Sequence, residues 1–149
     1  MAVILRDILL VEDNPNDVEL TLEALAEHNF ANGVHVTRDG AEALDYLYRR
    51  GDYANLPEGN PAVILLDLKL PKIDGIEVLR TIKLDQLLKF IPVVVLTSSR
   101  EEQDLAECYK LGVNAYVVKP VGFHDFIEAV KGLCLFWALL NEPPPGSRS

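Results

Sequence analysis

Residues 61–75 read Pro-Ala-Val-Ile-Leu-Leu-Asp-Leu-Lys-Leu-Pro-Lys-Ile-Asp-Gly. The apolar run Ala62–Leu66 stops on Asp67, and an Asp74-Gly75 turn follows. An unbroken apolar run of this length, with no polar alternation, suits a strand buried on both faces of a parallel sheet. Working outward, Ile8–Val11, Val93–Leu96 and Ala115–Val118 have the same character. Val34-His-Val-Thr37 alternates more weakly and suits an edge strand.

Helical periodicity fills the spaces between these runs. Asn14 can cap a helix with Pro15 at its first position, and Val18, Leu22 and Leu25 repeat along it. A second helix is predicted from about Ala41 to Arg49, with Ala43, Leu44 and Leu47 facing inward. A third runs from about Gly75 to Leu84, with Ile76, Leu79 and Ile82 or Lys83 inward. A fourth spans about Glu101 to Leu111 and stops at Gly112, and a fifth spans about Phe123 to Leu140. Regular alternation of strand and helix predicts one doubly wound α/β domain of flavodoxin-like type. Its parallel five-stranded sheet should have the order 2-1-3-4-5, with helices on both faces. Residues 51–61 read as a long loop. The domain is expected over residues 1–141, and residues 142–149, with three prolines, are expected to form a disordered tail.

Composition narrows the function. The chain has 149 residues, 14 Lys+Arg against 23 Asp+Glu, and a net charge of −9. A pI near 4.7 argues against a surface made for nucleic acid. No apolar run is long enough to span a membrane. The opening Met1–Asp7 meets charge too early for a signal peptide, so a cytoplasmic protein with Cys108 and Cys134 reduced is expected.

In an open parallel sheet, ligands bind beyond the carboxyl ends of the strands, at the switch point of the strand order. The first strand ends in Glu12-Asp13, the third in Asp67, the fourth in Thr97-Ser98-Ser99 and the fifth in Lys119-Pro120. Three carboxylates thus converge on one crevice beside a hydroxyl and an ammonium. Crowded carboxylates repel and call for a compensating cation, and hard oxygen ligands suit Mg²⁺. Such a site fits a phosphoryl group in transfer, with Asp67 able to act as nucleophile. The bland alternative is an acidic rim of unrelated carboxylates with a surface lysine.

Taken together, Glu12-Asp13-Asn14, Leu65-Leu-Asp-Leu68, Pro71-x-x-Asp-Gly75, Leu96-Thr-Ser98 and Ala115-Tyr-x-x-Lys-Pro120 resemble the receiver domain of bacterial response regulators. The resemblance covers roughly residues 6–140. It implies that Asp67 accepts phosphate from a phosphohistidine on a sensor histidine kinase. It implies Mg²⁺ held by Asp13 and Asp67, by Glu12 through water and by the Lys69 carbonyl. Thr97 would bond the phosphoryl oxygen, Lys119 would pair with the phosphate, and Tyr116 would swing inward as Thr97 moves. The Lys119-Pro120 bond would be cis. Lys69 departs from the asparagine or methionine often found at its place, on the water path to the phosphate. Ala43–Tyr48, Pro61–Asp67 and Phe136-Trp137 resemble the small receivers that partner bacterial phytochromes, which implies a bacteriophytochrome kinase.

Other residues carry blander readings. Gly75 is assigned to turn geometry, His28, His35 and His124 to surface or helix-end roles, Cys108 to packing, and Arg49-Arg50 to a solvated helix end. The last helix has one core-facing stripe: Phe123, Ile127, Val130, Cys134 and Trp137. Phe126, Ala129, Leu133, Phe136 and Leu140 make a second. A helix at a sheet edge buries one such stripe, so Phe126, Leu133, Phe136 and Leu140 are expected in a homodimer interface through the helix 4–strand 5–helix 5 face.

Competing classes fit less well. A metal-dependent aspartyl-phosphate hydrolase usually needs a second aspartate where Lys69 stands, and no cap insertion is present. A flavin carrier needs a hydroxyl-rich phosphate loop after the first strand, where this chain has Glu-Asp-Asn-Pro-Asn-Asp. A receiver-fold scaffold that needs no phosphorylation is the remaining alternative. The expected protein is therefore a signalling module that catalyses its own phosphotransfer and dephosphorylation, not a metabolic enzyme.

Overall fold

A computed structural model describes residues 7–26, 33–119, 122–135 and 145. Strand and helix alternate as β1 (Ile8–Val11), α1 (Pro15–Ala26), β2 (Val34–Thr37), α2 (Gly40–Tyr48), β3 (Val63–Leu66), α3 (Gly75–Leu84), β4 (Val93–Thr97), α4 (Glu102–Lys110), β5 (Ala115–Val118) and α5 (Phe123–Leu135). The strands form one sheet of order β2-β1-β3-β4-β5, and every pairing is parallel. This is the predicted flavodoxin-like arrangement.

The unbroken apolar runs follow from coverage on both faces. Side chains alternate across a strand, so each run must feed two cores. Leu9, Val11, Ile64, Leu66, Val93 and Val95 meet Leu44, Leu47, Val78, Leu79, Ile82 and Cys108 from α2, α3 and α4. Ile8, Leu10, Val63, Leu65, Val94 and Leu96 meet Val18, Leu25, Ile127 and Val130 from α1 and α5. Each fully buried Leu or Ile contributes about 1.5–3 kcal/mol relative to exposure.

Three expectations are corrected here. Ala115–Val118 does form a strand, but it is half-buried throughout, because β5 closes the edge of the sheet. In α3, Val78 takes the inward place expected for Ile76, which is only partly buried. His35 is half-buried and has ring partners: it stacks on Tyr46, with ring centroids 4.3 Å apart, and its Nε2 lies 3.1 Å from the Tyr53 hydroxyl. Burial lowers its pKa below the ordinary histidine value.

The loop expected over residues 51–61 opens with a short 3-10 helix, Gly51–Tyr53. Tyr53 donates to Glu42 at 2.6 Å. Arg49, in the left-handed region at φ 56°, donates from its guanidinium to the carbonyls of Tyr46, Pro57 and Gly59. It thus ends α2 as its C-cap and also holds the loop closed, while Arg50 stays exposed at the helix end as expected. The tail (Pro145 apart), the helical residues expected beyond Leu135, and the expected cis bond at Lys119-Pro120 lie outside the described residues. Among the described residues no helix is long and apolar enough to cross a membrane.

Candidate phosphoacceptor site

The backbone ladder continues past the strands and delivers the site residues. Glu12 N donates to Thr37 O at 3.0 Å, Asp67 N to Val11 O at 3.0 Å, and Lys119 N to Thr97 O at 2.8 Å. Thus the sheet itself places Glu12, Asp67 and Lys119 at its carboxyl edge, around the switch point between β1 and β3. The next turns fold sharply back. A Cβ on Gly75 would stand 2.3 Å from Asp67 O and 2.6 Å from Leu68 Cα. One on Gly40 would stand 2.0 Å from Ile73 O. Close approach, more than turn geometry, is why both positions are glycine. Lys72, at φ 66°, completes this loop and pairs with Asp39 at 3.5 Å.

Glu12, Asp13 and Asp67 each offer a carboxylate oxygen within 4.8 Å of the others. Glu12 and Asp67 are buried, while Asp13 is exposed. Lys119 Nζ reaches Glu12 Oε1 at 2.5 Å, Asp17 Oδ2 at 2.7 Å and Asp67 Oδ2 at 3.4 Å. Burial opposes the Lys119 charge, but hydrogen bonds to Asp17 and Glu12 outweigh it and hold its pKa above the ordinary lysine value. Burial pushes the Glu12 carboxyl up to about 7; Lys119 opposes the rise and the Asp67 charge adds to it.

Asp67 Oδ1 is buried and has no hydrogen-bond partner among the described residues. An orphaned carboxylate oxygen of this kind is costly unless something else binds it. Together with the oxygens of Glu12 and Asp13, it makes a donor set that fits a hard divalent cation. The Lys69 side chain, two residues on from Asp67, is exposed.

Thr97 is fully buried at the end of β4, and its Oγ1 accepts from Ser99 N at 3.3 Å. Ser99 is a hub: its carbonyl accepts from the Tyr116 hydroxyl at 3.0 Å, and its own hydroxyl donates to Asp104 of α4 at 2.6 Å. The predicted site residues Glu12, Asp13, Asp67 and Lys119 thus come together. Thr97 and Tyr116 are joined through Ser99. Phe136 and Leu140 lie outside the described residues, as do the side chains of Phe126 and Leu133.

Asp17 was not foreseen. It lies in the first turn of α1, where an acid normally reads as a partner for the helix dipole. The available signal was Asn14, whose Oδ1 accepts from the backbone of Asn16 and Asp17 and so turns the helix start toward the site.

A parallel sheet of this order, with a carboxylate cluster and a lysine at its switch point, is the arrangement expected of a phosphoacceptor domain. Residues 8–131 match the family described as response regulator receiver domain, and the chain belongs to that family. It is 45% identical over 130 residues to response regulator Rcp1 from Synechocystis sp., covering 87% of each chain. The Mn(2+)-bound crystal form of Rcp1 superposes with a TM-score of 0.85 at 42% identity, covering 93% of this chain and 99% of that one. The crystal structure of the phosphorylated cyanobacterial phytochrome response regulator RcpA gives a TM-score of 0.87 at 45% identity, covering 95% and 99%. The bacteriophytochrome response regulator AtBRR is 65% identical, with a TM-score of 0.74 and coverage of 93% and 99%.

Proposed function

We propose that this protein is a single-domain response regulator that accepts a phosphoryl group on Asp67 from a sensor histidine kinase of the phytochrome type. The observation that carries the reading is Asp67 Oδ1, buried and unpartnered at the carboxyl end of β3, in a cluster with Glu12 and Asp13 and with a lysine at its side. The phytochrome partner is supported by the relatives, whose names place them in phytochrome signalling.

In the proposed reaction an Asp67 carboxylate oxygen attacks the phosphorus of a phosphohistidine. A P–O bond forms as the P–N bond breaks, and the electron pair stays on the imidazole nitrogen. Asp13 and Asp67 would hold Mg²⁺ directly, Glu12 would hold it through water, and the Lys69 carbonyl would complete the protein ligands. The cation supplies charge neutralisation for the phosphoryl oxygens. Lys119 pairs with one of those oxygens. Thr97 then turns its hydroxyl from Ser99 toward the phosphoryl group, and Tyr116 gives up its bond to Ser99 O and moves inward. The contacts of Thr97 and Tyr116 differ between the two states, which is what lets phosphorylation shift the equilibrium. Hydrolysis of the acyl phosphate resets it, with Lys69 bordering the approach of water.

The readout surface on this reading is the α4–β5–α5 face, through which the protein forms a homodimer that includes Phe126, Leu133, Phe136 and Leu140. Leu105 and Tyr109, one turn apart on α4, expose 39% and 55% of their surface there and favour a contact. The reading places the protein in the cytoplasm, with no nucleic-acid or membrane partner.

The test is phosphorylation by a small acyl-phosphate donor with Mg²⁺, followed by intact mass. Acid-stable, base-labile addition of one phosphate, lost in Asp67→Asn and lost without Mg²⁺, is expected. Labelling of Asp67→Asn at the wild-type level refutes the assignment, and failure to label together with failure to bind beryllium fluoride leaves a scaffold. Phosphotransfer from a light-regulated phytochrome kinase should be faster than from unrelated kinases, and equal rates remove the phytochrome partner.

A further inference from the structure

An ammonium has three hydrogens to donate. Lys119 spends them unequally: Glu12 at 2.5 Å and Asp17 at 2.7 Å are close, and the phosphoacceptor Asp67 at 3.4 Å is the most distant of the three. Asp17 differs in kind from the other two. It sits on α1, not at a strand end, and its position is set by the Asn14 cap through the bond from Asp17 N to Asn14 Oδ1 at 3.2 Å. Its side chain is 26% exposed, against 4% for Glu12 and 10% for Asp67. It stands outside the carboxylate cluster of Glu12, Asp13 and Asp67. Among the described residues its ion pair is with Lys119 alone.

We propose that Asp17 is a positioning residue that holds the Lys119 ammonium off the phosphoacceptor and competes with the phosphoryl oxygens for it. The proposal rests on Asp67 being the phosphoacceptor. A phosphoryl group on Asp67 adds strong acceptor oxygens and negative charge. Lys119 Nζ contacts both Asp17 and the Asp67 carboxylate that would carry that group, so bonds to the newcomer compete with those to Glu12 and Asp17. The bond to Asp17 is the one that must lengthen, because Glu12 and Asp67 are nearly buried and fixed by the sheet, while Asp17 retains access to water that can replace the lysine. Asp17 therefore sets how readily the pocket takes a phosphoryl group.

The experiment is a beryllium fluoride titration of the full chain in Mg²⁺, the fluoride complex standing in for the phosphoryl group on Asp67. It compares the wild type with Asp17→Asn, Asp17→Ala and a charge control on the same helix, Glu19→Gln. Asp17→Asn keeps the side-chain shape, and Asp17→Ala guards against an asparagine that still holds the lysine. Both should bind about threefold to fivefold more tightly, the scale of a partly exposed ion pair, while Glu19→Gln stays within about 1.5-fold of the wild type because its field reaches the site through solvent. A merely structural role for Asp17 would lower the melting temperature and leave affinity unchanged or weaker. Unchanged or weaker binding in both Asp17 variants overturns the proposal. Equal tightening in Glu19→Gln also overturns it, since the effect would then be general charge and not Lys119. A wild type that binds no beryllium fluoride refutes the phosphoacceptor reading itself and takes the proposal with it, and this result is told apart because it appears before any variant is compared.

Discussion

Removing the Lys119 ammonium should expose how much of the site is held together by one charge. In Lys119→Met the aliphatic stem is largely preserved, while Glu12, Asp17 and Asp67 lose the cation now 2.5, 2.7 and 3.4 Å from their oxygens. Lys119 and Glu12 are 9% and 4% exposed, so water can compensate little. Breaking a buried pair in this way costs about 3 kcal/mol. The cost must depend on pH, because Glu12 has an escape: it can take up a proton. Its folded pKa is already raised from 4.5 to about 7. A raised carboxyl favours the folded state fully below the unfolded pKa, and that contribution is lost as pH rises through the folded one. Without Lys119 the folded pKa climbs further, so the loss extends to higher pH. One extra bound proton gives a slope of about 1.4 kcal/mol per pH unit. Between pH 6 and pH 8 the variant should therefore lose about 1 kcal/mol more than the wild type does. Urea unfolding followed by far-UV circular dichroism, in EDTA at both pH values, measures this. A deficit of about 3 kcal/mol at pH 8, shrinking to about 2 at pH 6, is expected. A deficit below about 1 kcal/mol at pH 8, or one independent of pH, would show that the three carboxylates do not depend on Lys119 and refute the electrostatic account.

Three further outcomes follow from the same geometry. Mg²⁺ at about a hundred times its dissociation constant should raise unfolding stability by roughly 2.7 kcal/mol, and Asp13→Asn should remove most of that gain; a wild-type melt indifferent to Mg²⁺ would count against the cation site. Gly75→Ala, which forces a Cβ to within 2.3 Å of Asp67 O, should cost about 2 kcal/mol or more and weaken Mg²⁺ binding in the same preparation; unchanged stability would mean that the loop gives way freely. Tyr53→Phe removes the hydroxyl that joins Glu42 and His35 and should cost about 1 kcal/mol in urea unfolding, with Mg²⁺ affinity unaltered because this cluster lies at the β2 edge, away from the pocket.

The sheet was legible because parallel strands leave a strong local mark. Ile8–Val11, Val63–Leu66 and Val93–Thr97 are buried at every position, and an unbroken apolar run is what two covered faces require. Asp67 and Glu12 were legible for a related reason: a charge that ends such a run must sit at the strand's end, and the strand order then brings the ends together. The misses concern contacts that local patterns do not encode. Asp17 meets Lys119 across 102 residues of sequence, and by itself it looks like any acid in a first helical turn. His35 has no sequence signal for its partners: it stacks on Tyr46 when α2 packs on β2, and it meets Tyr53 when the 51–61 loop folds over. Ala115–Val118 is as apolar as a central strand, so its composition suggests full burial although the predicted strand order already places it at the edge.

On the proposed reading, the bonds around Ser99 are the route from the pocket to α4 and β5. Thr97 and Tyr116 do not touch each other through a direct hydrogen bond; each is tied to a different backbone atom of Ser99. The Ser99 hydroxyl in turn reaches Asp104 in the first turn of α4, and it accepts from Glu101 N at 3.3 Å. In the proposed switch, turning Thr97 toward a phosphoryl oxygen releases the Ser99 amide, which must then find another acceptor or move. Either response shifts the carbonyl that holds Tyr116 and the hydroxyl that anchors α4. Thr97 is the buried member of this network, so its hydroxyl in particular needs a partner at hydrogen-bond distance in either arrangement. In the proposed switch, Ser99 is therefore the residue through which a change at Thr97 reaches Tyr116 and α4.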